Sequence, residues 1–504
     1  MANQSYKDQL NQSSDGQSQL QDRTTRYQNY INGQWLESSA GQYGQNRSPH
    51  NGELLGEFPA STAEDAKESI KAAKEAFPQW KKTSIQQRAV YLSKAAEILK
   101  SRAHEIGRDL SSEEGKTIAE GIGETMRAAS ILEFYAGEAR QAVGQVIPSV
   151  NASTMIYTKR IPLGPVGLIT SWNFPIAIPT WKMAPALIYG NTVVIKPADL
   201  TPKSVYHLVN ALHEAGLPKG VVNCVFGRGS IIGPELLQSP DIKAISFTGS
   251  NQVGETIKEQ AIKTGKKVQL EMGGKNPLVV LKDADIEKAV YIAIKGAFIS
   301  TGQKCTATSR IIVEEDVYEM FRDRLIERTK SLKLGNPLDA GTFMGPCVSK
   351  SQQDTVLTMV EEGRKEATLL YGGTVPEQEE LAKGFYVQPA IFEITSQDAR
   401  IAREEIFGPV VTLLKVTDYN EAVKAANDTL FGLSASVCTN NLSLAQQFVD
   451  DIEAGMVHIN SETSGAEPQV PFGGVKSSSD GPREQGKTAV EFYTQVKTIY
   501  MDQL

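Results

Sequence analysis

Residues 191–250 read "NTVVIKPADLTPKSVYHLVNALHEAGLPKGVVNCVFGRGSIIGPELLQSPDIKAISFTGS". Three short apolar runs, "NTVVIKP", "GVVNCVFG" and "IKAISFTGS", are rich in Val and Ile and bounded by Gly, Pro or Asp. Between them lie segments with helical periodicity, 202–215 and 231–238. Strands that alternate with helices predict a parallel sheet, because each parallel neighbour is reached by a crossover.

Outward from this stretch the pattern continues. "VGLIT" precedes it, and "KVQLEMGG" and "NPLVVL" follow. A second alternating set begins after Cys305 with "SRIIVEE", a helix near 316–332, then "ATLLYGG", "GPVVTLLKV", "SASVCT" and "AGMVHIN". Towards the N-terminus, "STAEDAKESIKAAKEAFPQW" sets Thr62 three residues before Asp65, a capping-box start, and helices run on to about Arg140. There is no repeat of fixed period and no flexible linker. The expected fold is α/β, with two doubly wound, Rossmann-like parallel sheets.

Composition narrows the function. A net charge of −7 gives no basic footprint for nucleic acid. Cys224, Cys305, Cys347 and Cys438 form no CxxC or Cys/His cluster, and with five histidines no metal site is expected. Few, unpaired cysteines fit a reducing compartment, so a cytoplasmic location is expected. Residues 1–26 are polar and Gln-rich with no apolar core, which predicts a disordered tail. The 21 uncharged residues between Arg160 and Lys182 include four prolines and two glycines. They read as a buried strand entering a loop, not a membrane span.

Candidate chemistry gathers at strand ends and in one loop. Cys305 lies in "STGQKCTATSR", after Lys304 and among small residues, where a thiolate could be favoured; a small core residue is the bland alternative. Glu271 ends an apolar run beside Gly273 and Gly274, and is either a general base or a solvated edge carboxylate. Asn173, in "SWNFP", is either an oxyanion donor or a turn residue. "GRGSIIG" (227–233) is GxGxxxG and misses the dinucleotide fingerprint GxGxxG. "FTGSNQVG" (247–254) turns a strand into a helix, with Thr248 and Ser250 as caps and an N-terminus able to face a pyrophosphate. "IKPAD" presents Lys196 and Asp199, which can bond ribose hydroxyls.

The ordered set WNFP, IKPAD, FTGSxxxG, LEMGGKNP, GQKC, EEIFGPV and PFGGVK resembles the aldehyde dehydrogenase superfamily over nearly the whole chain. The 34 positions from Glu271 to Cys305 also look like that family. The resemblance implies that Cys305 is the acyl-forming nucleophile. Asn173 and the Cys305 backbone N–H would hold the oxyanion, and Glu271 would activate the hydrolytic water. It implies an NAD site, with NADP also used, built from Thr170, Trp172, Lys196, Asp199, Gly229, Gly233, Phe247, Gly249, Ser250, Glu405 and Phe407. The substrate pocket would include Phe174, Trp181 and Thr306. In such a family the dinucleotide binds a five-stranded Rossmann variant without GxGxxG, consistent with the near-miss at 227–233.

By the same resemblance the NAD-binding domain spans 27–270, interrupted by a bridging hairpin at 142–161. The catalytic domain spans 271–470, and a C-terminal strand in 482–504 would join subunits into a homodimer or homotetramer. "GAFISTGQKCTATSR", "SETSGAEPQVPFGG" and "GPREQG" look like the α-ketoglutaric semialdehyde (2,5-dioxovalerate) dehydrogenases. With no aromatic in "SETSGAEPQV", a polar mouth suits a carboxylated or hydroxylated aldehyde, and Arg160 is a candidate to grip a distal carboxylate. The alternatives are a broad-range enzyme for other semialdehydes, aromatic or betaine-type aldehydes, or a non-catalytic scaffold of the same fold. A cysteine hydrolase needs a positioned His, which no motif supplies, and Glu271 argues against a CoA-acylating enzyme.

Overall fold

Val193 and Ile195 pack into one apolar cluster and Val194 into another, and all three are fully buried. Successive strand residues point to opposite faces, so this strand is covered on both sides. A computed structural model describes residues 25–141 and 144–502. In it the strand, Thr192–Lys196, is central in an eight-stranded sheet. The order is Gln34–Leu36, Asn29–Ile31, Val222–Cys224, Thr192–Lys196, Pro165–Ile169, Ala244–Thr248, Lys267–Glu271, Ser479–Asp480. The five strands from Val222–Cys224 to Lys267–Glu271 are mutually parallel.

In chain order those five run 3-2-1-4-5 across the sheet, so the winding reverses between Pro165–Ile169 and Ala244–Thr248. A crevice opens at the carboxyl ends of the strands where the winding reverses. Helices Ile85–Ser101, Ile118–Glu138, Ala177–Ile188 and Pro202–Glu214 cover one face. Ala63–Trp80, Gly229–Gln238 and Asn251–Thr264 cover the other. The capping box at Thr62 and Asp65 is present.

A second sheet runs Thr368–Tyr371, Ala390–Ile394, Val410–Val416, Thr308–Glu314, Asn276–Val280, Ser434–Cys438, Met456–Ile459. Only its first strand is antiparallel to its neighbour. Leu278 and Val280 face one cluster and Val279 the other, so this sheet is also covered on both sides. A third sheet pairs Thr494–Asp502 with Thr154–Pro162 over nine residue pairs, and Val146–Ile147 adds to its far side.

The structure departs from the sequence expectations in three places. Arg26, placed in the tail, forms a bridge with Glu57 and a 2.8 Å Nε–Oε2 bond to it; residues 1–24 lie outside the described residues, as do 142 and 143 of the expected hairpin. The stretch expected to run from strand into loop does so at Pro165–Ile169 and 170–176, but then enters a helix that was not expected, Ala177–Ile188. Pro179 falls in its first turn, where a missing N–H costs little, and Glu124 Oε1 accepts from the Ile176 and Ala177 amides at 3.0 and 3.1 Å. Finally, the chain returns after the second sheet: Ser479–Asp480 pairs antiparallel with Leu270–Glu271 and closes the edge of the first. Among the described residues no helix is long and apolar enough to cross a membrane.

Candidate active site

The segment before Cys305 is wound tightly. Ser300, Thr301 and Gly302 all have left-handed backbone, at φ 55°, 56° and 67°. Such geometry in two non-glycine residues needs outside support. Ser300 Oγ donates to Glu120 Oε1 at 2.7 Å, and Thr301 Oγ1 donates to the Gly345 carbonyl at 3.1 Å. A Cβ on Gly302 would collide with the Gly408 carbonyl.

"LEMGGKNP" holds the loop from the other side. Asn276 Nδ2 donates to the carbonyls of Cys305 and Ala307 at 2.8 and 2.9 Å. A Cβ on Gly274 would stand 2.5 Å from the Cys305 carbonyl, so only glycine lets the two chains pass. At Gly273 a Cβ would strike the Glu405 carboxylate. Glu405 Oε1 accepts from the Gly274 amide at 2.9 Å, and burial pushes its carboxyl up to about 7.

Cys305 is half-buried, whereas the other three cysteines are fully buried. It sits where two cavities meet, of about 290 and about 210 Å³. Burial, then the Glu405 and Glu271 carboxylates, push its thiol up to about 12, while the Thr306 and Cys305 amides oppose the shift. The expectation that Lys304 favours the thiolate therefore fails. Its ammonium is directed to the Lys295 carbonyl and towards Glu462.

The smaller cavity lies at the winding reversal. Ser171, Trp172 and Asn173 follow one strand; Thr248 ends the next, with Gly249 and Ser250 after it; Glu405 and Phe407 close it. Phe407 is left-handed at φ 57°, its carbonyl accepts from Gln352 Nε2 at 3.0 Å, and its ring meets Trp172 edge-on at 5.3 Å. Lys196 and Asp199 stand beyond it, paired at 2.9 Å, and a Cβ on Gly229 would lie 3.8 Å from Lys196 Nζ. Phe247 and Gly233 are not on this wall. Phe247 points into the core beneath Gly249, where a Cβ would lie 2.5 Å from its ring, and Gly233 is buried within its helix.

This crevice fits a dinucleotide. Thr248 Oγ1 on its wall and Thr170 Oγ1 at the neighbouring strand end are buried without a partner. The helix Asn251–Thr264 has no side-chain cap, so its first amides remain available to an anion.

The larger cavity is lined by Phe174, Trp181 and Thr306, and by Phe472, whose ring is tilted by 32° to that of Trp181 at 5.4 Å. The wall from 461 to 470 contributes Glu462, Ser464, Gly465 and Ala466 without an aromatic, but Phe472 supplies one just beyond it. Arg160 is elsewhere: its Nη1 donates to Glu491 at 2.9 Å in the third sheet, and it lines a different cavity. No histidine lines either cavity at Cys305.

Asn173 is fixed on three sides. Its Nδ2 donates to the Gln303 carbonyl at 3.1 Å, its Oδ1 accepts from Ser171 Oγ at 2.8 Å, and its carbonyl accepts from Lys116 Nζ at 2.6 Å. The second Nδ2 hydrogen remains free to bind an oxyanion. Glu271 lies on neither cavity wall. Its Oε2 accepts from Ser479 Oγ at 2.6 Å, and burial, then Glu484, hold its carboxyl well above the usual range.

Several site residues escape a sequence reading. Lys116 is one. Lys182 is another: fully buried, it bonds Ser246 Oγ at 2.8 Å and pairs with Glu484. The periodicity of 118–138 could have pointed to Glu120, Glu124 and Arg127, which share one helical face.

A doubly wound sheet with a crevice at its switch point, met by the Cys305 thiol from the loop before a strand of the second sheet, is the architecture of a dehydrogenase. The chain belongs to the aldehyde dehydrogenase family, whose profile matches residues 35–499, and it is an oxidoreductase acting on aldehydes. It is 48% identical to the alpha-ketoglutaric semialdehyde dehydrogenase of Bacillus subtilis over 477 residues, covering 94% of this chain and 98% of that one. It is 44% identical to the alpha-ketoglutarate semialdehyde dehydrogenase of Haloferax volcanii over 475 residues, 94% of this chain and 98% of that one. The betaine aldehyde dehydrogenase of Staphylococcus aureus in complex with NAD+ superposes with a TM-score of 0.92 at 33% identity, covering 95% and 96% of the two chains.

Proposed function

We propose that this enzyme oxidises a carboxylated semialdehyde, with α-ketoglutaric semialdehyde as the substrate class its relatives name, to the acid, using NAD. The observation that carries the reading is Cys305, alone accessible among four cysteines and shared by two cavities. One cavity fits a dinucleotide; the other, part aromatic and part charged, takes the aldehyde.

The sulfur of Cys305 adds to the aldehyde carbon, and the oxygen of the tetrahedral adduct takes up negative charge. Asn173 Nδ2 and the Cys305 amide donate to that oxygen. Held at about 12, the thiol must pass its proton to a water in the site before or during addition. The bound dinucleotide supplies the acceptor for the hydride leaving the same carbon. Glu271 then takes a proton from the water that attacks the thioester, which releases the acid and restores the thiol. To do so its side chain must rotate from Ser479 towards Cys305.

Lys196 and Asp199 bind the adenosine ribose, Ser250 lies at the pyrophosphate, and Glu405 and Phe407 hold the nicotinamide end. The NAD-binding part is residues 27–270 with the return at 479–480, and the catalytic part is 271–470. The third sheet exposes Val146, Met155, Val496, Tyr500 and Met501, which supports a homodimer or homotetramer joined there. A cytoplasmic location accords with four unpaired cysteines. The test is NADH formation from dicarboxylic semialdehydes and neutral aldehydes, with and without CoA. CoA-dependent turnover, or indifference to the carboxylate, overturns the reading.

A further inference from the structure

One face of the helix Ile118–Glu138 walls the larger cavity, through Glu120, Gly123, Glu124 and Arg127. Their spacing of three and four residues makes a single stripe, with Arg127 about 10 Å along the axis from Glu120. The other charges around it are committed. Lys116 gives its ammonium to Glu124 and the Asn173 carbonyl. Lys304 turns to the Lys295 carbonyl and Glu462. Glu120 accepts from the amide and hydroxyl of Thr117 and from Ser300.

Arg127 differs. The residue is half-buried on the cavity wall, and among the described residues its guanidinium makes neither a hydrogen bond nor an ion pair. A partly desolvated cation without a counter-charge is costly, and a guanidinium offers a planar fork that matches a carboxylate. Three aromatic rings line the same cavity and can cover an apolar chain between its two ends.

We propose that Arg127 receives the distal carboxylate of the substrate while the aldehyde lies at Cys305. The inference rests on the carboxylated-semialdehyde reading above and names the residue that enforces it. This orientation sets the substrate anion two helical turns from Glu120, so the like charges stay apart. A neutral aldehyde leaves the guanidinium unpaired and is selected against.

The experiment compares kcat/KM for α-ketoglutaric semialdehyde and for pentanal, a neutral aldehyde of equal chain length, in the wild type, Arg127→Met and Arg127→Lys. In Arg127→Met the acid-to-neutral ratio is expected to fall about 10- to 100-fold, the size of a lost charge-assisted pair, through a raised KM for the acid. Arg127→Lys keeps the charge but not the fork and falls between. It also preserves the test should the methionine variant not fold. A ratio that stays at the wild-type value in the variants overturns the role of Arg127 and leaves the substrate reading standing. A wild type that does not prefer the acid overturns the substrate reading, and this inference with it.

Discussion

Ser479 faces Glu271 directly across an antiparallel strand pair, and its hydroxyl donates a 2.6 Å hydrogen bond to the Glu271 carboxylate. The bond favours the ionised carboxylate against burial and Glu484, which raise its pKa. A base with a raised pKa is protonated and idle at low pH, so deacylation should rise with pH as Glu271 ionises. Removing the hydroxyl in Ser479→Ala takes away a stabiliser of the charged form and should move the rising limb of the kcat–pH profile to higher pH. An unmoved limb would show that the bond does not tune the base.

Glu271→Gln separates the half-reactions. The variant should release NADH in a burst near one equivalent per active site and then turn over about 10²–10⁴-fold more slowly. Stopped-flow absorbance reads both phases. Loss of the burst along with turnover would place Glu271 in thiol activation or cofactor positioning.

The strands of both sheets were legible in the sequence because parallel strands covered on both faces are continuous apolar runs, as at Thr192–Lys196 and Asn276–Val280. The helix at 177–188 was not, because Pro179 and Pro185 hide a segment whose first amides are capped by Glu124, more than 50 residues earlier. Cys305, Asn173 and Glu271 stand in local motifs and could be named. Their supports come from far along the chain: Ser479 lies 208 positions from Glu271, and Glu484 302 from Lys182. Arg160 does not reach the cavity at Cys305, because its guanidinium pairs with Glu491 and lines a different cavity.

Cys305→Ala should abolish oxidation and leave NAD binding intact, since the cofactor crevice has other walls. Alkylation should also be selective for Cys305, and the reason is access. Cys347 and Cys438 are buried with thiols likewise pushed up to about 12. Peptide mapping after brief iodoacetamide treatment measures this, and equal labelling of Cys347 would contradict it.

Lys182→Met should destabilise the protein by about 3–5 kcal/mol, because it leaves Glu484 as an uncompensated buried charge. Glu484 Oε2 already lacks a partner. The double variant Lys182→Met, Glu484→Gln removes both charges and should regain part of the loss. Urea midpoints for the wild type, Lys182→Met, Glu484→Gln and the double variant complete the cycle, and simple additivity would argue against the coupling.

Cofactor choice depends on Asp199, which is half-exposed and paired at 2.9 Å with the buried Lys196. A carboxylate here accepts hydrogen bonds from the 2′-hydroxyl of NAD and repels the 2′-phosphate of NADP. Forced like-charge contact can cost several kcal/mol. Lys196 tempers that repulsion, since its ammonium stands beside the same position, so NAD should be preferred in kcat/KM with NADP still used. Asp199→Ser removes the repelling charge and releases Lys196 to meet a phosphate. Both changes favour NADP, and the ratio should narrow or reverse mainly through a lower KM for NADP. Initial rates with each dinucleotide at saturating aldehyde decide it. A wild type that prefers NADP, or a ratio unmoved by the substitution, would place the discrimination elsewhere in the crevice.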